Sequence, residues 1–293
     1  MDESLLYRIH SRTSKLPPCT FDVTFLKELY RILSELTAEA AQLEAASIRY
    51  PELPDIDIEK TRQIIIIAYK LDINVSAESG HSVASSTTIF DNTTLLAEAK
   101  KIAFGNENLF KIAMGREPKY TLALKLDLAK PDLFNLSIHS SEPTQNTSQI
   151  LLFGYTDTWV NGAYEKIMKA FRGHQARFRI IHKRNVFDLL LWLGFFPLTY
   201  WNIYKIDKQL TSIIQSSAAF QASLYIFILF VIIFLSRVLF NYTRWVFPYM
   251  ELDLPSVRST ALPHRLFIGG LFTFIIFSLL YDLILKIFHI LVY

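Results

Sequence analysis

One cysteine, Cys19, in 293 residues has nothing to pair with inside the chain. An intramolecular disulfide framework is therefore excluded, and a reducing compartment suits the part of the chain that carries it. The nine glycines build no phosphate-cradling loop, since neither a P-loop nor a dinucleotide fingerprint is present. Asp55-Ile-Asp57-Ile-Glu59 lacks the glycine and the distal glutamate of a calcium-binding loop. No histidines stand at ligand spacing and there is no cysteine pair, so no metal site is expected. The N-terminal stretch holds Asp2, Glu3, Arg8, Arg12 and Lys15 without a continuous apolar core, which predicts neither a secretory signal peptide nor an N-terminal anchor. These gaps remove the common nucleotide-, metal- and thiol-dependent classes. No catalytic residue and no cofactor can be assigned.

Charge is also scarce, but only in one part of the chain. Charged side chains make up 19% of the residues against 51% hydrophobic, and the deficit falls almost wholly after residue 185. The chain therefore divides into an N-terminal soluble domain, residues 1–180, and a membrane part, residues 186–293. Residues 218–240 and 266–290 have the length and apolar character of membrane helices, about 20 residues for a hydrocarbon core of about 30 Å. Residues 186–204 make a third candidate. Asp188 lies in its first turn, Pro197 interrupts it, and Trp201 and Tyr204 gather at its end like an interface belt. A helix lying in the interface or a re-entrant segment is the alternative there, so the expected count is two to three transmembrane helices.

Seven basic residues, Lys166, Lys169, Arg172, Arg177, Arg179, Lys183 and Arg184, precede the first of these segments with no acid among them. Taking the seven from the total of 30 leaves 23 basic against 27 acidic residues. All the surplus positive charge thus sits beside the membrane. The positive-inside rule then places the N-terminal domain and the 241–265 connection in the cytoplasm, and 205–217 outside. Phe171, Phe178, Ile180 and Ile181 interleave with the basic residues, which predicts contact with anionic lipid headgroups. Nucleic acid is the disfavoured competitor, because topology alone accounts for a basic run at this position. Trp245 and Tyr249, with Trp201 and Tyr204, are expected at headgroup level. Asp282 and Lys286 lie four apart on the last segment and are expected to snorkel to its end.

Within the N-terminal part, Leu26, Leu29, Leu33, Leu36, Ala40 and Leu43 mark a helix over 20–47, whose stripe can lie on the domain's own sheet, the favoured reading, or zip to another copy. The run from Ile64 to Ile67 predicts a buried strand, and 95–104 a helix stopped by Gly105. Alternation predicts strands at 119–128, 133–140 and 149–155, and Asp157 or Thr158 is expected to cap the helix that follows. The expected fold is an α+β domain, an antiparallel meander packed with helices, followed by an all-α membrane part. Gly80-His81-Ser82-Val83-Ala84 has the outline of a nucleophile elbow, but its Ser- and Thr-rich surroundings predict a polar loop. His81, His139 and Asp157 read separately as a loop residue, a strand surface residue and a helix cap.

The function expected is that of a membrane-anchored binding, sensor or effector module, multi-pass in the membrane, without evident catalysis. Its partners would be the lipid bilayer, further copies of itself, or another protein. A gated, channel-like or membrane-perturbing assembly is the alternative, although uniformly Phe/Ile/Leu helices offer no polar stripe for a pore. An enzyme whose site is not legible is the third.

Overall fold

The computed structural model describes residues 9–48, 55–133, 141–213, 217–254 and 261–292. In chain order the elements are β1 (His10–Lys15), β2 (Cys19–Asp22), α1 (Val23–Ala46), α2 (Asp55–Ala68), β3 (Asp72–Ala77), β4 (Gly80–Ala84) and α3 (Thr93–Ala97). There follow β5 (Ala99–Gly105), α4 (Glu107–Met114), β6 (Thr121–Asp127), β7 (Gln149–Gly154) and α5 (Asp157–Arg172). The remainder comprises α6 (Val186–Leu190), α7 (Phe196–Ile213), α8 (Ala218–Val246), β8 (Met250–Asp253) and α9 (Ala261–Val292).

Period-two alternation builds a six-stranded antiparallel sheet in the order β1-β7-β6-β5-β3-β4. One face carries Ile73, Val75, Ile102, Phe104, Leu122, Leu124, Leu126, Ile150 and Leu152, all buried. The other carries polar or small side chains such as Thr13, Asn74, Lys125 and Gln149, so only one face is covered among the described residues. α1 and α5 lie on the apolar face, and the leucine stripe of α1 from Leu26 to Leu36 is wholly buried there. Asp22 caps α1 by accepting from the Phe25 amide at 2.8 Å. An antiparallel sheet with helices, followed by long apolar helices, is thus the layout.

Several elements differ from the sequence reading, each for a physical reason. The isoleucine run lies in α2 rather than a strand, because Ile65, Ala68 and Tyr69 are buried at helical spacing while Ile64, Ile66 and Ile67 point outward. Residues 99–105 are strand rather than helix. Pairing with both β3 and β6 overrides the helix propensity of Ala-Lys-Lys there, and only the short α3 precedes it. Gly80–Ala84 is an edge strand of the sheet, not a loop, returning from β3 through a tight turn. The first helix begins at Val23, because Cys19–Asp22 is taken by a strand. α5 is preceded by Thr156 as its cap and already includes Asp157. The strand expected at 133–140 lies almost wholly outside the described residues.

In the apolar part, α6 leads through a single π-helical segment, Leu191–Phe195, into α7. The Phe196 amide donates to the Leu191 carbonyl within that segment. A π-bulge is one way a helix accommodates a proline, here Pro197, whose missing N–H and ring disturb the normal ladder. The helix therefore continues to Ile213 instead of ending at 204, and much of the expected 205–217 connection is helical. α8 likewise runs on to Val246. Val186–Lys205 and Ala218–Val246 are long and apolar enough to cross a membrane, with only 11% of each window buried. A soluble core helix would be mostly buried. Here Trp192, Leu193, Phe227 and Phe230 stand more than 60% exposed.

Candidate site at the junction of the domain and the apolar helices

The polypeptide leaving α8 does not stay with the apolar helices. Phe247 leaves the helical conformation ahead of Pro248, and the helix ends there. Met250, Leu252 and Leu254 then alternate with Glu251 and Asp253, and β8 pairs in parallel with β2, Cys19 opposite Met250 and Asp22 opposite Asp253. The Cys19 amide donates to the Tyr249 carbonyl at 3.0 Å, and Met250 is 1% exposed in the domain core. Tyr249, expected as a headgroup anchor, donates its hydroxyl to the Leu16 carbonyl at 2.7 Å inside the domain. The proposed division near residue 180 thus leaves one strand of the domain fold on its far side.

Arg244, in the last turn of α8, is 7% exposed. Its Nε donates to the Ile181 carbonyl and its Nη2 to the Glu142 carbonyl, both at 3.0 Å. Its guanidinium also lies 4.5 Å from the centre of the Phe240 ring. It has no carboxylate partner among the described residues. Beside it His182, 3% exposed, holds Thr144 Oγ1 at 2.9 Å through Nδ1 and sets its ring 5.4 Å from that of Tyr249. Burial, and next the charge of Arg244, push the imidazole down to about 4, so it is neutral near pH 7. Cys19 lies in the same layer. Burial pushes its thiol up to about 12, which makes it an inert packing residue and not a nucleophile.

The seven basic residues are placed in two groups. Lys166, Lys169 and Arg172 lie on the outer side of α5, Lys166 at 3.6 Å from Glu39 and Arg172 at 3.4 Å from Glu165. Arg177, Arg179, Lys183 and Arg184 occupy the turn that follows, all exposed. Arg179 donates to Gln175, and none of the four makes an ion pair among the described residues. Phe178 and Ile180 in this turn are 49% and 60% exposed, whereas Ile181 and His182 are turned inward. The turn around the short 3₁₀ segment Arg179–His182 thus presents cations and apolar side chains together on its outside.

Of the remaining candidates, Trp245 stacks on Tyr242 with rings 6.2 Å apart, and the Lys130 ammonium lies 4.3 Å from its ring centre. Trp201 and Tyr204 sit together on α7, 6.4 Å between ring centres. Asp188 is half-buried at the start of α6. The side chains of Asp282 and Lys286 lie outside the described residues, as does His139. His81 and Asp157 are not brought together. His81 is on β4 and Asp157 is 3.3 Å from His10 on β1, the two opposite edges of the sheet, about 24 Å apart at the usual strand spacing. No three metal-ligating side chains cluster among the described residues.

A second polar centre went unread in the sequence. Glu44, fully buried near the end of α1, accepts from the Tyr69 hydroxyl at 2.5 Å and the Lys119 amide at 2.6 Å, and pairs with Arg116. It fastens α1 to α2 and to the start of β6, a structural arrangement without an open face for a substrate. No protein-family model, no curated protein and no solved structure matches this chain.

Proposed function

We propose that the chain is a multi-pass membrane protein that holds its α+β domain against the cytoplasmic face of the bilayer as a binding module without evident catalysis, acting as a sensor or effector. The observation that supports this most is the turn 177–184. Four unpaired cations and two exposed apolar side chains stand directly before Val186, where the first long apolar helix starts. Each such cation contributes about 1 kcal/mol beside anionic lipid, and Phe178 and Ile180 add apolar contact. The strand β8 makes the attachment short and stiff, so that the domain follows the helices instead of swinging on a linker.

Cysteine labelling of intact cells tests the orientation, since the native Cys19 is buried and silent. Cys in place of Ser217, between α7 and α8, should label from outside. Cys in place of Ser79, at the exposed hairpin of β3 and β4, should label only after permeabilisation. Labelling of Ser79→Cys from outside would overturn the reading. For the surface contact, the full chain in nanodiscs should show slower hydrogen exchange at 177–184 in phosphatidylserine than in phosphatidylcholine, and the difference should shrink as salt rises.

A further inference from the structure

The loop after α5, the 247–251 strap and the first turn of α9 enclose a half-open cavity of about 430 Å³. That volume falls in the range of about 300–1,000 Å³ usual for small-ligand sites. Its wall includes Arg177, Arg265, His174, His182, Thr20 and Glu251. Five of these six present donors or cations. Glu251, the one carboxylate, is already paired with Arg265.

The charge around this cavity is unbalanced. Arg244 lies buried behind His182 and acts on it electrostatically. The Lys130 ammonium feels both Glu251 and Arg265. Within the wall itself, Arg177 and Arg265 stand against the single carboxylate of Glu251. Donors line the cavity as well. Arg177 is exposed and makes no ion pair among the described residues, and Thr20 is exposed beside His174, whose carbonyl accepts from the Thr20 amide at 2.9 Å.

We propose that this cavity binds a phosphate monoester, whose three terminal oxygens and charge between one and two negative match the unpaired Arg177, a second guanidinium from Arg265 and the polar groups of Thr20 and His174. A carboxylate would satisfy one guanidinium fork and leave the rest. The assignment rests on the reading of the chain as a membrane-anchored binding module and names the ligand class of that module. Two sources carry this chemistry: a lipid whose headgroup is a phosphate monoester, reached because the cavity lies at the ends of α8 and α9, and a soluble phosphate compound.

The test uses the full chain in nanodiscs with the histidines labelled for nitrogen NMR. Inorganic phosphate is added to phosphatidylcholine discs. In parallel, discs containing phosphatidic acid are compared with discs containing phosphatidylserine at matched surface charge. The expected result is movement of the His182 ring signals with phosphatidic acid but not with phosphatidylserine. If inorganic phosphate moves them equally well, the source is soluble; if only phosphatidic acid does, it is the lipid. Arg177→Gln, at an exposed position that the fold does not need, and Arg265→Gln should each weaken the response about tenfold. Lys70→Gln, exposed and outside both the cavity wall and the 177–184 turn, should leave it within about twofold. Signals unmoved by phosphate and by phosphatidic acid, or moved equally by phosphatidylserine, overturn the proposal. The general surface contact at 177–184 would still be judged separately by its hydrogen exchange.

Discussion

Glu44 near the end of α1 and Arg244 near the end of α8 are both buried charges, yet they are satisfied in different ways. Glu44 meets an opposite charge, a phenol and an amide, all from the N-terminal part of the chain. Arg244 meets two backbone carbonyls, at Ile181 and Glu142, across 63 and 102 residues of sequence. The sheet core is thus closed by its own contacts. The junction is closed only when the end of an apolar helix arrives to donate into it. The first region should behave as the main cooperative unit, and the second as a coupling that can loosen without unfolding the sheet.

The largest effect should come from Glu44→Ala. It leaves the Tyr69 hydroxyl and the Lys119 amide buried without an acceptor and opens a void at a site that is 0% exposed. A loss of about 4–5 kcal/mol is expected, a large part of the stability of an ordinary domain. Native-state hydrogen exchange should show it as uniform loss of protection in β5, β6 and β7. Glu44→Gln keeps an acceptor and should cost clearly less.

Arg244→Met keeps the apolar stem but removes both donors, and should cost about 3–4 kcal/mol locally. Faster exchange is expected at 179–185 and at β8, with β5 and β6 unchanged. Equal loss of protection in the sheet would break the comparison, making the two regions one unit.

How much of this was legible follows the same divide. The leucine stripe of α1 and the alternation of β6 and β7 are local patterns, and they read correctly from residues alone. Ile64–Ile67 did not, because four adjacent β-branched residues fit a strand or one turn of helix equally until α1 supplies a face to pack against. The Met250, Leu252, Leu254 alternation was a readable strand signal, but it lay among membrane-helix signals that drew the reading elsewhere. Nothing in the sequence could pair Cys19 with Met250, since that contact depends on α8 ending beside β2. The burial of Arg244 has no sign in the sequence, because burial is invisible to a count of charges. The apolar helices themselves were legible by length and composition, whereas the continuation of α7 through Pro197 to Ile213 depends on a π-bulge that no residue type announces.

His182 should give a smaller, pH-dependent effect. Its folded value of about 4 lies below the ordinary 6.5, so folding favours the neutral ring. The corresponding stability is fully present above about pH 6.5 and is lost as pH falls toward 4, on the order of 3 kcal/mol in all. His182→Gln, which cannot titrate, should flatten the difference in junction stability across that window. Carboxylates titrating nearby affect both proteins alike, so the difference between them isolates the ring. An unchanged slope would mean that the imidazole is solvated or already charged in the fold.

The smallest effect sharpens the comparison most, because it changes one atom on the strap. Tyr249→Phe removes the hydroxyl that donates to the Leu16 carbonyl at 2.7 Å and leaves the ring against His182. The ring is half-buried, so water can replace part of the lost bond, and the net cost should be about 1 kcal/mol. Leu16 itself is 1% exposed and its amide is held by the Ser148 carbonyl at 3.1 Å, which keeps the segment before β2 in place. The loss should therefore appear on the β8 side. The Cys19 amide, bonded to the Tyr249 carbonyl, should exchange several-fold faster, while the amides of β1 that pair with β7 keep their rates. If β1 loosens along with Cys19, the strap belongs to the sheet's own cooperative unit, and the apolar helices are then fixed to the domain as firmly as its strands are fixed to one another.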